Sequence, residues 1–406
     1  MPIVGRKLIP LEDRGPLRVM FLITSMPAGG AETLLANLVR GMNSERFWPS
    51  VCCLRSRGAL GDDLADDVPV FHDLIRHKYD PRVLPRLTRL FRDRRVDAVV
   101  TVGAGDQMFW GRLAARRAGV PVVLSALRST GWHDSIGRLN RARLLTHWTD
   151  GYIGMAQAHG RHLIEAEGFP AEKVHVIPNG VDVERFNPMQ GGEAVRRKLG
   201  IAATAPVIGT VAALRPEKNH ALFLRAAKIV RDRIPEANFV IVGDGPQREA
   251  LVQLTGELDL GDAVHFLGNR SDVPEILAAL DVFALPSRIE ASPVSILEAM
   301  ASGKPVVAPR AGSIDESVSD GETGFLTEPG NVRQVADRLA ELASDRERAR
   351  RMGQAGRAVV VDHWSQERMI EGYERLIATI YRRKCHAGRP AAPSGLAGAV
   401  RARLSP

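Results

Sequence analysis

Cysteine is nearly missing: the 406 residues hold three, two of them adjacent (Cys52, Cys53). So few thiols exclude a disulfide framework and suit a reducing compartment. Long apolar runs are missing as well. Those at 19–23 and 98–100 fall far short of the roughly 20 residues that cross a bilayer. The amino end lacks a secretory layout, since its first apolar run, 18–24, comes late and leads into a Gly-rich turn. These absences lead us to expect a soluble, cytoplasmic protein. Acidic residues are absent from 381–406, where Arg382, Arg383, Lys384, Arg389, Arg401 and Arg403 supply +6 of a net +8. Residues 1–190 carry a further +6, and residues 191–380 carry −4. The basic balance therefore belongs to the first half and the tail. That is no uniform polyanion-binding surface, and no nucleic-acid partner is expected.

What is present is ample apolar material, 45% against 25% charged. Each half can bury a real core, and the length suits two domains. Short β-branched runs recur at 18–24, 48–54, 97–102, 121–124 and 174–177. They recur again at 206–211, 238–242, 263–267, 281–285 and 305–308. Between most of them apolar residues return at helical spacing, as in Leu34, Leu35, Leu38 and Val39. Near-continuous apolar strands alternating with amphipathic helices predict parallel sheets covered on both faces. The pattern restarts after a Pro/Gly-rich break at 186–206. The fold class expected is α/β: two tandem Rossmann-like domains whose ligand site lies in the cleft at the carboxyl ends of their strands. We place the first domain at 1–190 and the second at 191–363. A helix follows at 364–384, then a disordered basic tail at 385–406.

Four short motifs carry chemistry. Gly29-Gly30 follows the first strand and opens a helix, which permits positive φ, close approach of a ligand and anion binding at the helix start. Gly243-Asp-Gly245 makes a sharp exit from a buried strand. It lacks the third glycine of a dinucleotide fingerprint, which disfavours an NAD oxidoreductase. Arg215-Pro-Glu-Lys218 puts two cations at a helix start, as a diphosphate clamp would. Glu290-Ala-Ser-Pro-Val-Ser-Ile-Leu-Glu298 sets two carboxylates either side of a strand-to-helix turn, with the helix beginning near Ser292–Ser295. Carboxylates accept bonds from sugar hydroxyls, while amides and cations hold phosphate. Read singly, each motif also fits a plain turn or a solvated helix face.

In this order and spacing the motifs resemble the family-four retaining glycosyltransferases of the two-Rossmann architecture called GT-B. The resemblance runs over about 18–380. It is strongest in Val-His-Val-Ile-Pro-Asn-Gly-Val-Asp (174–182) and over 205–330, with Phe-Leu-Gly268, Ala-Met-Ala-Ser-Gly-Lys-Pro-Val-Val and Asp320-Gly-Glu-Thr-Gly-Phe-Leu. It implies that Glu298 binds the nucleotide ribose and Glu290 the donor sugar, beside the donor-binding segment Ser292, Pro293, Val294 and Ser295 and the backbone N–H groups near it. Arg215 and Lys218 would hold the diphosphate and stabilise its developing charge. Arg270 would frame the base, Gly243 would border the donor, and Gly29 and Gly30 would approach the phosphate from the first domain. Neither metal nor cofactor is implied, and the bond would form with retention.

The chain departs from the family pattern twice. Ala213 stands where an Arg is frequent, so Arg215 takes that role from a shifted place. Ser125-Ala-Leu-Arg128-Ser stands where a His is frequent, which leaves Arg128 and nearby His133 as candidate acceptor or donor contacts. The expected reaction moves a sugar from a nucleotide-diphosphate sugar to a saccharide or lipid-linked acceptor, in polysaccharide or glycolipid assembly. A nucleotide-sugar epimerase and a non-catalytic sugar-nucleotide-binding protein are the alternatives. Residues 82–95 hold six arginines and one acid, with Val83, Leu84, Leu87, Leu90 and Phe91 on one helical face. Such a helix can lie peripherally on anionic lipid at the inner face of a membrane. It equally fits a helix packed on its sheet with its arginines in water.

Overall fold

The computed structural model describes residues 8–27, 29–77, 80–103, 106–128 and 144–387. Two parallel sheets form its framework. The first runs in the order β3-β2-β1-β4-β5-β6-β7. Its strands are β1 (Leu17–Ile23), β2 (Phe47–Cys53), β3 (Val70–Phe71), β4 (Ala98–Val102), β5 (Val122–Ala126), β6 (Gly151–Gly154) and β7 (Val174–Val176). The second runs in the order β10-β9-β8-β11-β12-β13. It is built from β8 (Val207–Val211), β9 (Asn238–Val242), β10 (Val264–Gly268), β11 (Val282–Ala284), β12 (Val306–Pro309) and β13 (Gly324–Thr327).

The apolar runs read as they do because both faces of each sheet are covered. In β1, Leu17, Val19, Phe21 and Ile23 enter one core while Met20 and Leu22 enter the other. In β9, Phe239 and Ile241 face one side and Val240 the opposite one. Successive side chains alternate, so a strand buried on both sides has no polar position left. In each sheet the chain order reverses beside the first strand, between β1 and β4 and between β8 and β11. Loops leaving neighbouring strands there diverge to opposite faces and open a crevice.

The last helix, expected over 364–384, spans Gln366–Ala387 and crosses back to the first sheet. Met369, Ile370, Tyr373, Ile377 and Tyr381 join the core on β1 and its helix Gly30–Gly41. Polar ties pin its end: Lys384 Nζ bonds the Asp150 carboxylate at 2.6 Å, and Arg14 bonds both Asp97 and the Tyr381 hydroxyl. The chain thus passes between the two units twice, and the crossings lie side by side. Val181 N donates to Trp364 O and Gln366 N to Val181 O, both at 2.9 Å. The tail expected beyond the helix lies, from residue 388, outside the described residues.

Candidate active site

The reversal point of the second sheet gathers the charged motifs. The turn Pro216–Lys218 follows β8, with Arg215 as its cap, and leads through Asn219 into the helix His220–Arg233. The loop 286–293 follows β11, the adjacent strand, and enters the helix Val294–Ala301 with Pro293 as its cap. Backbone ties join the loops, Arg288 N donating to Glu217 O at 2.8 Å. Lys218 Nζ then meets Glu290 Oε1 at 2.5 Å, with Glu290 8% exposed and Lys218 24%. A charge-assisted bond this well shielded fixes both side chains. Arg215, at the cap of the Pro216–Lys218 turn, is exposed. His220, almost wholly buried, has no hydrogen-bond partner for either ring nitrogen among the described residues. Burial, reinforced by the Lys218 charge, lowers it to about 4, so it stays neutral under the ammonium.

Glu298 lies inside its helix, as its spacing predicts. Burial pushes its carboxyl up to about 7, opposed by the charge of Arg185, although part of the side chain still reaches the surface. Arg185 comes from the chain crossing and also donates to Ser271 O at 3.3 Å, linking Glu298 to the loop after β10. Arg185 lies three residues past the 174–182 motif and is not among the expected site residues. Neither are Gly312 and Ser313. Gly312 adopts φ +68°, and a Cβ there would lie 1.7 Å from the Glu290 carbonyl oxygen. Ser313 N bonds that oxygen at 3.2 Å, and Ser313 Oγ bonds Ala291 O at 2.5 Å. Asn179, inside a motif already noted, donates to Ser292 O at 3.2 Å from the crossing. Val294 packs against the core of the first unit. The Glu290–Val294 turn is thus held from three sides.

Other candidates stand differently from their expectation. Gly29 has φ −173° and Gly30 is already helical, so neither uses the positive φ their pairing suggested. Extended backbone there is open to any residue. Gly30 does supply space, since a Cβ there would meet nothing within 4 Å, whereas one on Gly29 would meet Glu32 Oε2 at 2.5 Å. Gly243 does adopt a positive φ of +129°, but its reason is packing: a Cβ would sit 2.0 Å from Ala212 O. Arg270 forms a two-bond pair with Asp272, at 2.7 and 2.5 Å. Arg128 follows β5 beside the buried phenol of Tyr373, and its buried Nε and Nη1 have no hydrogen-bond partner among the described residues. Ser292 and Ser295 are half-buried at the start of the Val294–Ala301 helix. His133 lies outside the described residues. Among those described, no hydrogen bond or ion pair joins Gly29, Gly30 or Arg128 to the Lys218–Glu290 pair.

Two Rossmann-like units with a cation, a carboxylate and a helix start at the second reversal point define a class of enzymes that hold a phosphorylated ligand in a cleft. Comparison with known proteins names the class. Residues 192–359 match the family model of glycosyl transferases group 1, and residues 28–185 match that of glycosyltransferase family 4. A GDP-mannose-dependent alpha-(1-6)-phosphatidylinositol monomannoside mannosyltransferase of Mycobacterium tuberculosis is 30% identical over 368 residues, 86% of this chain and 94% of that protein. An Escherichia coli UDP-Gal:alpha-D-GlcNAc-diphosphoundecaprenol alpha-1,3-galactosyltransferase is 31% identical over 75% of this chain and 82% of its own. Anabaena HepE, solved with UDP-glucose, superposes with a TM-score of 0.76 at 25% identity, covering 91% of this chain and 99% of that one. The chain belongs to the group 1 glycosyltransferases and has their GT-B architecture.

Proposed function

We propose that this glycosyltransferase transfers a sugar, with retention, from a nucleotide-diphosphate sugar to a lipid-linked or glycolipid acceptor. The relatives named for phosphatidylinositol mannosides and for a diphosphoundecaprenol acceptor support that acceptor class. HepE, solved with UDP-glucose, supports the donor class. The observation that carries the reading is the Lys218–Glu290 pair at the reversal point. Residues 191–363 hold the donor: Glu298 accepts from the ribose, Glu290 from the sugar, and the N–H groups of Ser292, Val294 and Ser295 face the phosphates. As the glycosidic bond breaks, charge grows on the leaving diphosphate, and Arg215 and Lys218 stabilise it. Residues 1–190 present the acceptor, with Arg128 as a donor of hydrogen bonds and Gly30 leaving room for phosphate.

No helix among the described residues is long and apolar enough to cross a membrane. A lipid-linked acceptor would then be met at the membrane surface, at its inner face, and the helix Val83–Asp93 offers exposed arginines for that contact. Thermal-shift screening against UDP-, GDP- and ADP-sugars identifies the donor, because a ligand that binds only the folded form raises its melting point. With that donor, Lys218→Ala and Glu290→Gln should each cut turnover by at least about 100-fold, the order found on removing one group that stabilises transition-state charge. Unchanged turnover in both variants would overturn the site assignment.

A further inference from the structure

The helix Gln157–Glu165 of the first unit begins without a cap of its own. Ala156 occupies its N-cap position and has no side-chain oxygen to bond the free amides. The cap comes from the second unit. Glu316, at the end of the short turn Ile314–Glu316, accepts Gln157 N–H on Oε2 at 2.7 Å and Ala158 N–H on Oε1 at 2.6 Å. Both carboxylate oxygens engage the positive end of a helix across the cleft. Two residues before that turn begins, Gly312 presses its backbone on the Glu290 carbonyl, and Ser313 bonds Glu290 and Ala291. Direct contacts therefore run from the Glu290–Ser292 loop through 312–316 to the helix start at 157. Beside them lies a cavity of about 360 Å³ bordered by Met155, Pro178, Pro293, Leu297 and Trp364. It gives the loop room to shift.

We propose that Glu316 is a positioning residue that couples the donor loop to closure of the cleft. Its carboxylate caps the helix when the units come together, and a ligand on the 290–298 segment biases that closure through the 312–316 turn. The ligand half rests on the donor reading above. An uncapped helix start whose partner sits on the other unit makes the helix a reporter of closure, because opening removes the cap.

The test is hydrogen exchange on the full chain, with and without UDP, GDP or ADP, for the wild type, Glu316→Gln and Ala156→Ser/Glu316→Gln. A glutamine oxygen can accept one amide, but its NH₂ opposes the other. In Glu316→Gln the amides of 157–160 should exchange at least about five-fold faster, as for loss of a helix cap. Val181 and Gln366, which join the two crossings, should speed up as well. Nucleotide should slow exchange at 157–160 in the wild type and not in Glu316→Gln. In the double variant the serine introduced at position 156 caps the helix locally, so 157–160 should regain protection while Val181 and Gln366 stay fast. If Val181 and Gln366 exchange alike in wild type and Glu316→Gln, Glu316 is a local cap only and the proposal fails. If none of the three nucleotides changes exchange at 290–298, the donor reading and the ligand half fall together. The ligand-free comparison then still decides the closing contact.

Discussion

Glu298 shows how burial makes the stability contributed by a single side chain depend on pH. Its carboxyl ionises near 4.5 in an unfolded chain and at about 7 in the fold, because burial penalises the charge. Between those values the folded state keeps a proton that the unfolded state has released. The contribution to stability is therefore complete below pH 4.5 and is lost as pH rises through 7. Glu298→Gln has no such proton to lose, so it should melt above the wild type at about pH 8 and converge with it near pH 4.5. On the proposed role of Glu298 as acceptor for the ribose, the same substitution should weaken nucleotide binding, since an amide replaces the carboxylate. Scanning calorimetry at the two pH values and a nucleotide titration check both halves. A wild type that melts higher at the alkaline pH would contradict the burial argument.

At the scale of elements, the helix Val83–Asp93 separates its two faces cleanly. Val83, Leu87 and Phe91 are buried against the sheet, while Arg89 and Arg92 face water. If it meets anionic lipid, each arginine near the surface contributes about 1 kcal/mol. Replacing Arg89 and Arg92 by glutamine should then weaken binding to phosphatidylserine vesicles by about 30-fold, and salt should erase the difference. Cosedimentation at low and moderate ionic strength measures this. Equal binding by both proteins would leave the helix an ordinary covered surface.

Elements were also where the sequence was most and least legible. Runs such as Val207–Val211 and Asn238–Val242 announce themselves, because strands covered on both faces contain little but apolar residues. The strand Gly151–Gly154 does not. A Cβ on Gly151 would approach His175 to 2.9 Å, and one on Gly154 would come 3.3 Å from Gly160 N. Close packing demands glycine there, and glycine reads as a turn. Gly324 conceals the start of β13 for the same reason, its missing Cβ lying 2.2 Å from Val306 O. Within the site, Lys218 and Glu290 could be found because their own loops carry the chemistry. Glu316 and Arg185 could not, since their partners lie more than a hundred residues away and only the folded contact selects them.

For the molecule as a whole, the last helix decides whether the first unit has a complete core. Met369, Ile370, Tyr373 and Ile377 cover the side of β1 that also holds Leu34 and Leu38. Ending the chain at residue 365 would leave that apolar surface bare. The first sheet's melting transition should then vanish from calorimetry, with 192–359 giving the remaining one and soluble yield falling. A truncated chain with both transitions intact would show that the helix merely decorates the surface. The expectation depends on burial rather than on any single bond, so substituting Lys384 alone should not reproduce it.

That double crossing has a consequence for synthesis. The second unit is in effect an insertion inside the first, and the ribosome delivers it whole while its host still lacks a wall. The amino-terminal half must wait, with greasy surface exposed, until the codons for the entire second unit have been read. The enzyme is thus most vulnerable to chaperone capture or clumping just before its final turn emerges.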